Sequence, residues 1–158
     1  MSLANKVIVV FALGICVSLA VPVAGSPAPT QAEASILRTI NQVRAQHGLA
    51  PLRVDVRLER AARAYSAHMM RTGTFAHGNF GARIRSYGAR GPVVGENLAW
   101  GVGGAASSQA VVQMWMNSPP HRANLLRPGF RRIGVGRRVG TFAGHGGAAV
   151  VTANFAGR

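Results

Sequence analysis

The chain has 158 residues, one cysteine and a formal net charge of +14, with 18 basic residues against 4 acidic ones. Its length suits one domain around one core of ordinary size, and a single cysteine excludes an intramolecular disulfide and a site built from several thiolates. The excess of basic residues predicts attraction to polyanions, although a solvated arginine-rich surface explains the same balance.

The first 25 residues have the order of a secretory signal peptide. Lys6 supplies the positive charge, residues 7–21 form an apolar run, and Val23-Ala24-Gly25 provides small residues suited to signal-peptidase cleavage. The run is shorter than the roughly 20 apolar residues that cross a bilayer comfortably. Cys16 lies inside it without the small preceding residue of a lipoprotein signal, so lipid anchoring is not expected. We therefore predict a secreted protein, extracellular or in the cell envelope, with an uncleaved anchor as the alternative.

Residues 26–34 are predicted to form a flexible tether, because the segment starts with a stretch rich in proline, alanine and serine. The folded domain is predicted at 35–158. It opens with a helical apolar pattern that Gly48 ends. Asp55 suits the N-cap of a second helix, and Gly73 stops that helix.

Residues 74–104 are rich in glycine, aromatic and polar residues, and they predict a long irregular segment with a short helix near 82–86. Long irregular segments in compact domains often carry function. Ser107 or Ser108 can cap a third main helix, which Pro119-Pro120 prevents from continuing.

The C-terminal part of the chain has apolar residues at alternating positions in two segments, 133–139 and 149–155, joined by a glycine-rich stretch at 140–147. This pattern predicts a β-hairpin. Helices followed by antiparallel strands indicate an α+β domain.

Three residues stand out as candidates for chemistry. Glu96 is the acidic residue in the most apolar sequence surroundings, and His77 and His121 each follow a predicted helix. Two imidazoles and one carboxylate suit a zinc site with an open water position. Their wide separation in sequence also leaves a structural role open, in which Glu96 accepts backbone hydrogen bonds and pins a loop.

Several other kinds of site are excluded by the sequence. It contains no His-Glu-x-x-His pair and no Gly-x-Ser-x-Gly elbow. A glycine-rich turn at 101–106 precedes a helix, as in dinucleotide-binding folds, but no acidic residue follows Glu96 to bind a ribose. Basic residues are scattered rather than gathered in a recognition helix, so a nucleic acid partner is not expected.

Four motifs, taken in order, resemble the CAP superfamily, which is named after cysteine-rich secretory proteins, antigen 5 and pathogenesis-related protein 1. The likeness is closest to the compact, cysteine-free bacterial branch and extends from about Ile36 to Phe155. The motifs are Phe75-Ala76-His77, Gly95-Glu96-Asn97-Leu98-Ala99, the segment from Trp115 to Leu126, and Gly134-Val135-Gly136.

The resemblance implies an α-β-α sandwich in which an antiparallel sheet lies between two helical layers. It also implies a central cleft, with His77 and His121 as its two histidines and Glu96 as its first acid. The motif neighbours Asn97 and Asn124 are expected to support this cleft.

Ser118 marks a departure from the family pattern. It stands where eukaryotic members have a second cleft glutamate, so the four-residue His/Glu/Glu/His site is incomplete here, and Ser118 is expected only to support the cleft. Loss of one carboxylate weakens the attraction for a divalent cation such as zinc and removes a candidate base.

CAP proteins are associated with sterol or fatty-acid binding, cation binding and disputed proteolysis, and the fold alone does not choose among these. The scarcity of acid–base residues favours a secreted module that binds a lipid or small ligand at the cell envelope, with peripheral contact to an anionic membrane or envelope polymer. The alternative is a hydrolase in which Glu96 activates water while His77 and His121 hold a metal or polarise the substrate. A third hypothesis is a structural network without catalysis.

Overall fold

The computed structural model describes residues 28–157, so the predicted signal peptide at 1–25 lies outside the described residues. Its helices and strands, in chain order, are α1 Gln31–Gln46, β1 Arg53–Val54, α2 Val56–Thr72, α3 Phe80–Ser86, β2 Val94–Gly101, α4 Ser108–Asn117, α5 Pro119–Leu125, β3 Phe130–Phe142 and β4 His145–Gly157. A 3-10 turn at Gly103–Ala106 connects β2 to α4.

The predicted ends of the second helix are confirmed. The Asp55 carboxylate accepts hydrogen bonds from the backbone N–H groups of Arg57 and Leu58, and it thereby satisfies donors that the first turn of α2 leaves unpaired. Gly73 ends the helix with φ of 69°, a left-handed conformation that favours glycine.

The first helix begins earlier than the sequence pattern indicated. Thr30 and Glu33 form a capping box, in which each side chain accepts a hydrogen bond from the backbone N–H of the other residue. Residues 31–34 are therefore helical. The prediction that the tether extends over 26–34 is wrong for these four residues.

The two prolines that were expected only to stop a helix also start one. Ser107 caps α4 by accepting a hydrogen bond from the Ala110 N–H, as predicted, and α4 ends at Asn117. Pro119 and Pro120 then occupy the first positions of α5, where proline costs nothing because the N–H groups of a first turn have no intrahelical partner.

The sheet has the strand order β1-β3-β4-β2. β3 and β4 form the predicted antiparallel hairpin, which turns at Ala143 and Gly144, and β2 pairs antiparallel with β4. The two-residue strand β1 pairs parallel with β3 at the edge, through Arg53 and Val54.

The strand β2 lies within the segment 74–104 that the sequence indicated to be irregular. Six of its eight residues are buried, so it lacks the alternation of apolar and polar residues that marks a half-exposed strand. Gly95, Asn97 and Gly101 further obscure it, because glycine and asparagine are depleted in strands.

Alternate residues of β4 face two helical layers. Val151, Ala153 and Phe155 join a core with Ile36 of α1 and Trp115 of α4. The intervening residues of β4 face the opposite layer, where Val150 packs with Met69, Thr152 accepts a hydrogen bond from Ser66, and Ala156 packs with Leu58. The expected α-β-α sandwich is confirmed.

Helix α2 lies unusually close to the sheet because β3 contains two glycines. A Cβ atom on Gly134 would lie 2.0 Å from the Glu59 nitrogen, and one on Gly136 would lie 2.2 Å from the Arg63 nitrogen. Only glycine fits at these positions. Between residues 28 and 157, no helix combines the length and apolar character that a bilayer crossing requires.

Candidate functional site

Glu96 lies on β2 with its side chain completely buried. His77 Nδ1 donates to Glu96 Oε1 at 2.9 Å, and the Arg83 guanidinium forms an ion pair with Oε2. In the orientation that satisfies both of its amide atoms, Asn154 donates to Oε2 at 3.0 Å and accepts from the Ala62 N–H. Burial raises the pKa of the Glu96 carboxyl, and the hydrogen bonds and charges of His77 and Arg83 oppose this rise only in part.

His77 lies on the loop between α2 and α3, with its side chain half exposed. Two contacts hold this loop: the Tyr65 hydroxyl donates to the Ala76 carbonyl, and Arg83 Nη1 donates to the His77 carbonyl at 3.2 Å. Because Nδ1 bonds to Glu96, Nε2 is the ring nitrogen that remains for a ligand.

Arg83 is a site residue that sequence reasoning missed. It projects from α3, pairs with Glu96, and lies 3.3 Å from the centroid of the Tyr65 ring in a cation–π contact. A buried carboxylate such as that of Glu96 requires a charged or hydrogen-bonding partner. The chain contains seventeen arginines, and no spacing in the sequence identifies Arg83 as this partner.

His121 enters the site from the first turn of α5. Its carbonyl accepts from Asn97 Nδ2 at 3.0 Å, and Asn124 Nδ2 donates both to the Glu96 carbonyl and to Asn97 Oδ1, at 3.2 and 2.9 Å. Asn97 and Asn124 therefore connect α5 to β2. Burial, and secondly the charge of His77, lower the pKa of the His121 imidazole, so its neutral form is favoured.

His77, Glu96, His121 and Asn124 all line one cleft of about 410 Å³. Phe80, Val94 and Pro120 supply apolar walls to the same cleft, together with Gly78 and Gly95. The structure thus brings together the residues that the motifs pointed to. Asn97 is buried behind them, and Ser118 lies at the junction of α4 and α5, outside the set that lines the cleft.

The arrangement does not fit a zinc ion held by His77, Glu96 and His121. Across residues 28–157, no three histidine, cysteine, aspartate or glutamate side chains converge closely enough to hold a metal. Both Glu96 oxygens already accept from protein donors, and the positive charge of Arg83 beside Oε2 weakens the attraction of the carboxylate for a cation.

Glu96 is not the only carboxylate shielded from solvent. Glu33 and Glu59 are equally buried and share Arg63, with distances of 2.7 and 3.3 Å to its Nη2 atom. Asp55 forms an ion pair with Arg132 at 2.8 Å. The sequence singled out Glu96 because of its apolar neighbours in the chain, whereas Glu33 and Glu59 are buried by packing between distant segments.

A family model and a bacterial relative both match long stretches of this chain. The model of the cysteine-rich secretory protein family, CAP, matches residues 37–155. The uncharacterized protein YkwD of Bacillus subtilis strain 168 is 37% identical over 109 residues, which are 66% of this chain and 41% of YkwD. The chain therefore spans less than half the length of this relative.

Two solved structures are similar in fold. An extracellular protein with an SCP domain from Bacillus anthracis matches with a TM-score of 0.67 and 27% identity, over 80% of this chain and 40% of that one. An outer surface protein from Borrelia burgdorferi matches with a TM-score of 0.68 and 27% identity, over 85% and 98% of the two chains. Because the family model spans most of the sequence, the chain belongs to the CAP family of cysteine-rich secretory proteins.

Proposed function

We propose that this protein is a CAP binding module that acts outside the cell, at the envelope, and holds a lipid or another small amphiphile in the cleft between His77 and His121. The observation that carries the proposal is the complete engagement of Glu96. Its carboxylate is buried and bonded to His77, Arg83 and Asn154, so it serves as a fixed anchor for the cleft wall.

The composition of the cleft supports an amphiphilic ligand. Two imidazoles offer hydrogen bonds to a polar head, and Phe80 and Pro120 offer apolar contacts to a chain. Arg83 balances the charge of Glu96, so a carboxylate or phosphate head group meets no uncompensated negative charge. The neutral imidazole of His121 acts there as a hydrogen-bonding group rather than as a cation.

The place of action rests on the leader and on the relatives. The first 25 residues have the order of a signal peptide, and the similar structures include an extracellular protein and an outer surface protein. The net charge of +14 favours contact with an anionic membrane or envelope polymer.

The test is the binding of a fluorescent fatty acid, kept below its aggregation threshold, to the purified protein in the presence of EDTA. We expect saturable one-to-one binding that weakens about tenfold in both His77→Ala and His121→Ala, since each removes a hydrogen bond to the polar head. His47→Ala is the matched control, because His47 is an exposed histidine at the end of α1. Binding that His47→Ala weakens as much as the cleft variants contradicts the proposal.

A hydrolase is the second candidate, and the pairing of His77 with Glu96 favours it. A carboxylate that fixes one imidazole nitrogen orients the other for proton transfer, so His77 Nε2 is the candidate general base. Glu96→Gln should then abolish turnover of an ester substrate while the far-ultraviolet circular dichroism is retained. Unchanged turnover removes this mechanism.

The remaining alternative is a structural network, and the same variants distinguish it. In that case His121→Ala lowers the melting temperature without changing any binding. Binding to anionic vesicles adds a further criterion, because attachment that moderate salt abolishes reports only nonspecific electrostatics.

A further inference from the structure

A second, strongly basic groove lies where the loop after α1 and strand β1 meet the start of β3. Ala50, Pro51, Arg53, Arg131 and Arg132 line it, and its volume is about 320 Å³. None of these residues lines the cleft that contains His77 and His121.

The groove is built on a buried arginine. Arg44 of α1 is fully buried, and its guanidinium donates to backbone carbonyls from two segments: Ala50 at 2.9 Å, and Leu125 and Arg127 at 2.7 and 3.2 Å. Among residues 28–157, Arg44 has no carboxylate partner. Burial, and secondly the positive charge of Arg131, lower the pKa of Arg44, so a second cation acts on the buried one.

Three arginines line the groove, and one of them forms an ion pair with a carboxylate. The parallel pairing of β1 with β3 sets Arg53 directly beside Arg132. Arg132 forms an ion pair with Asp55 at 2.8 Å and also donates to the backbone carbonyls of Arg90 and Gly157. The Arg131 side chain donates only to the backbone carbonyls of Pro128 and Phe130. Of the three arginines that line the groove, Arg53 and Arg131 therefore have no carboxylate partner in the described part of the chain.

We propose that this groove binds a phosphate group. Arginine side chains that share a groove and lack a carboxylate partner attract an anion, and planar guanidinium groups match the oxygens of a phosphate in pairs of parallel hydrogen bonds. Hydrogen bonds from Arg44 to the backbone carbonyls of Ala50 and Phe130 hold the loop after α1 and the start of β3 in place without a ligand. This inference rests on the proposed function only for the place of action, the cell envelope, where the protein would meet phosphate. Anionic lipid head groups and free phosphate present the same chemical group to the groove.

The test is a calorimetric titration of the purified protein with inorganic phosphate at physiological salt. Arg53→Ala/Arg131→Ala removes two walls of the groove, and we expect it to weaken binding at least about tenfold. Arg71→Ala/Arg138→Ala removes the same charge from exposed positions elsewhere. Arg138 lies seven residues along β3 from Arg131, about 23 Å at roughly 3.3 Å per residue. Arg71 lies near the same distant end of β3, because its neighbour Met70 on α2 packs against Gly140.

The control variant should keep the affinity of the wild type within about twofold, because long-range charge is screened over roughly 8 Å at this salt. Equal losses in the two double variants, or no phosphate binding by the wild type, overturn the proposal. Arg53→Ala alone serves as a milder variant if the double substitution impairs folding, because no hydrogen bond or ion pair of the Arg53 side chain occurs in the described part of the chain.

Vesicles separate the two sources of phosphate. The same variants are mixed with vesicles of phosphatidylcholine alone and with equal parts phosphatidylglycerol and phosphatidylcholine. If only Arg53→Ala/Arg131→Ala loses binding to the anionic vesicles, the groove binds a lipid head group. If this variant keeps that binding, the groove binds soluble phosphate. The fatty-acid assay is run on the groove variant in parallel, so failure of the groove and failure of the cleft are observed separately.

Discussion

His77 Nδ1 lies 2.9 Å from Glu96 Oε1, although the two residues are 19 positions apart and lie on different elements. The contact joins the loop after α2 to the buried strand β2, and Arg83 of α3 and Asn154 of β4 bond to the opposite oxygen. Four separate segments thus meet at one carboxylate.

Replacing Arg83 by methionine should make the stability of the protein depend more steeply on pH. Burial already raises the pKa of Glu96, and Arg83 opposes that rise, so its loss raises the pKa further. An acid with a raised folded pKa contributes stability below its unfolded pKa, near 4.3, and this contribution is lost as pH rises through the folded value. We expect a small loss near pH 4 and a loss of about 3–5 kcal/mol at pH 7, measured by urea unfolding.

The control for that experiment is Arg85→Met, an exposed arginine on the same helix α3. It should change the free energy of unfolding by less than about 0.5 kcal/mol at either pH. A loss in Arg83→Met that is the same at both pH values contradicts the ion pair as its origin.

Glu33 should confer stability that acid removes. Burial acts to raise the pKa of Glu33, but hydrogen bonds from Arg63 and Thr30 outweigh it and lower the pKa overall. A lowered folded pKa stabilises the protein above the unfolded value, near 4.3, and this stabilisation is lost as pH falls through the folded value. Glu33→Gln should therefore cost about 2 kcal/mol at pH 7, and its difference from wild type should shrink towards pH 3. A difference that stays constant in chemical denaturation across this range would rule out the ion pair as the cause.

The close approach of α2 to the sheet predicts a contrast between two glycines. Gly134→Ala places a methyl group 2.0 Å from a backbone nitrogen of α2, where no side chain can move away. We expect a loss of more than about 3 kcal/mol or failure to fold. Gly146→Ala meets nothing within 4 Å and should change stability by less than about 0.5 kcal/mol, as thermal unfolding would report. Similar melting temperatures for the two variants would show that α2 can move away from the sheet, and would contradict the prediction.

Zinc should not occupy the cleft through Glu96. The carboxylate is bonded to His77 and Arg83, and a metal would have to displace both contacts. In a calorimetric titration with zinc, we expect no stoichiometric binding that depends on His77 and His121. One-to-one binding abolished by both substitutions would establish a metal centre and support the hydrolase hypothesis.

Much of the fold was predictable because its signals are local. Asp55 and Gly73 fixed the ends of α2, Ser107 capped α4, and the alternating residues of the C-terminal segment predicted the hairpin. Each of these signals depends on neighbouring residues in the sequence. The strand β2 was missed because burial on both faces removes the alternation by which a strand is recognised.

The site was predictable only in part, for a related reason. The motifs identified His77, Glu96 and His121, and the structure places all three in one cleft. Arg83 has no motif, and the burial of Arg44 contradicts the usual exposure of arginine. Both residues owe their positions to contacts between distant segments, which no local pattern encodes.

We propose that the cleft between His77 and His121 binds an amphiphile without a metal. The decisive experiment is nuclear magnetic resonance of the labelled protein, titrated with a monomeric fatty acid in the presence of EDTA. We expect saturable one-to-one shifts of the side-chain signals of His77, His121 and Asn124, with the His47 signal unchanged. Shifts that appear only after zinc replaces EDTA, or that occur away from these residues, would contradict it.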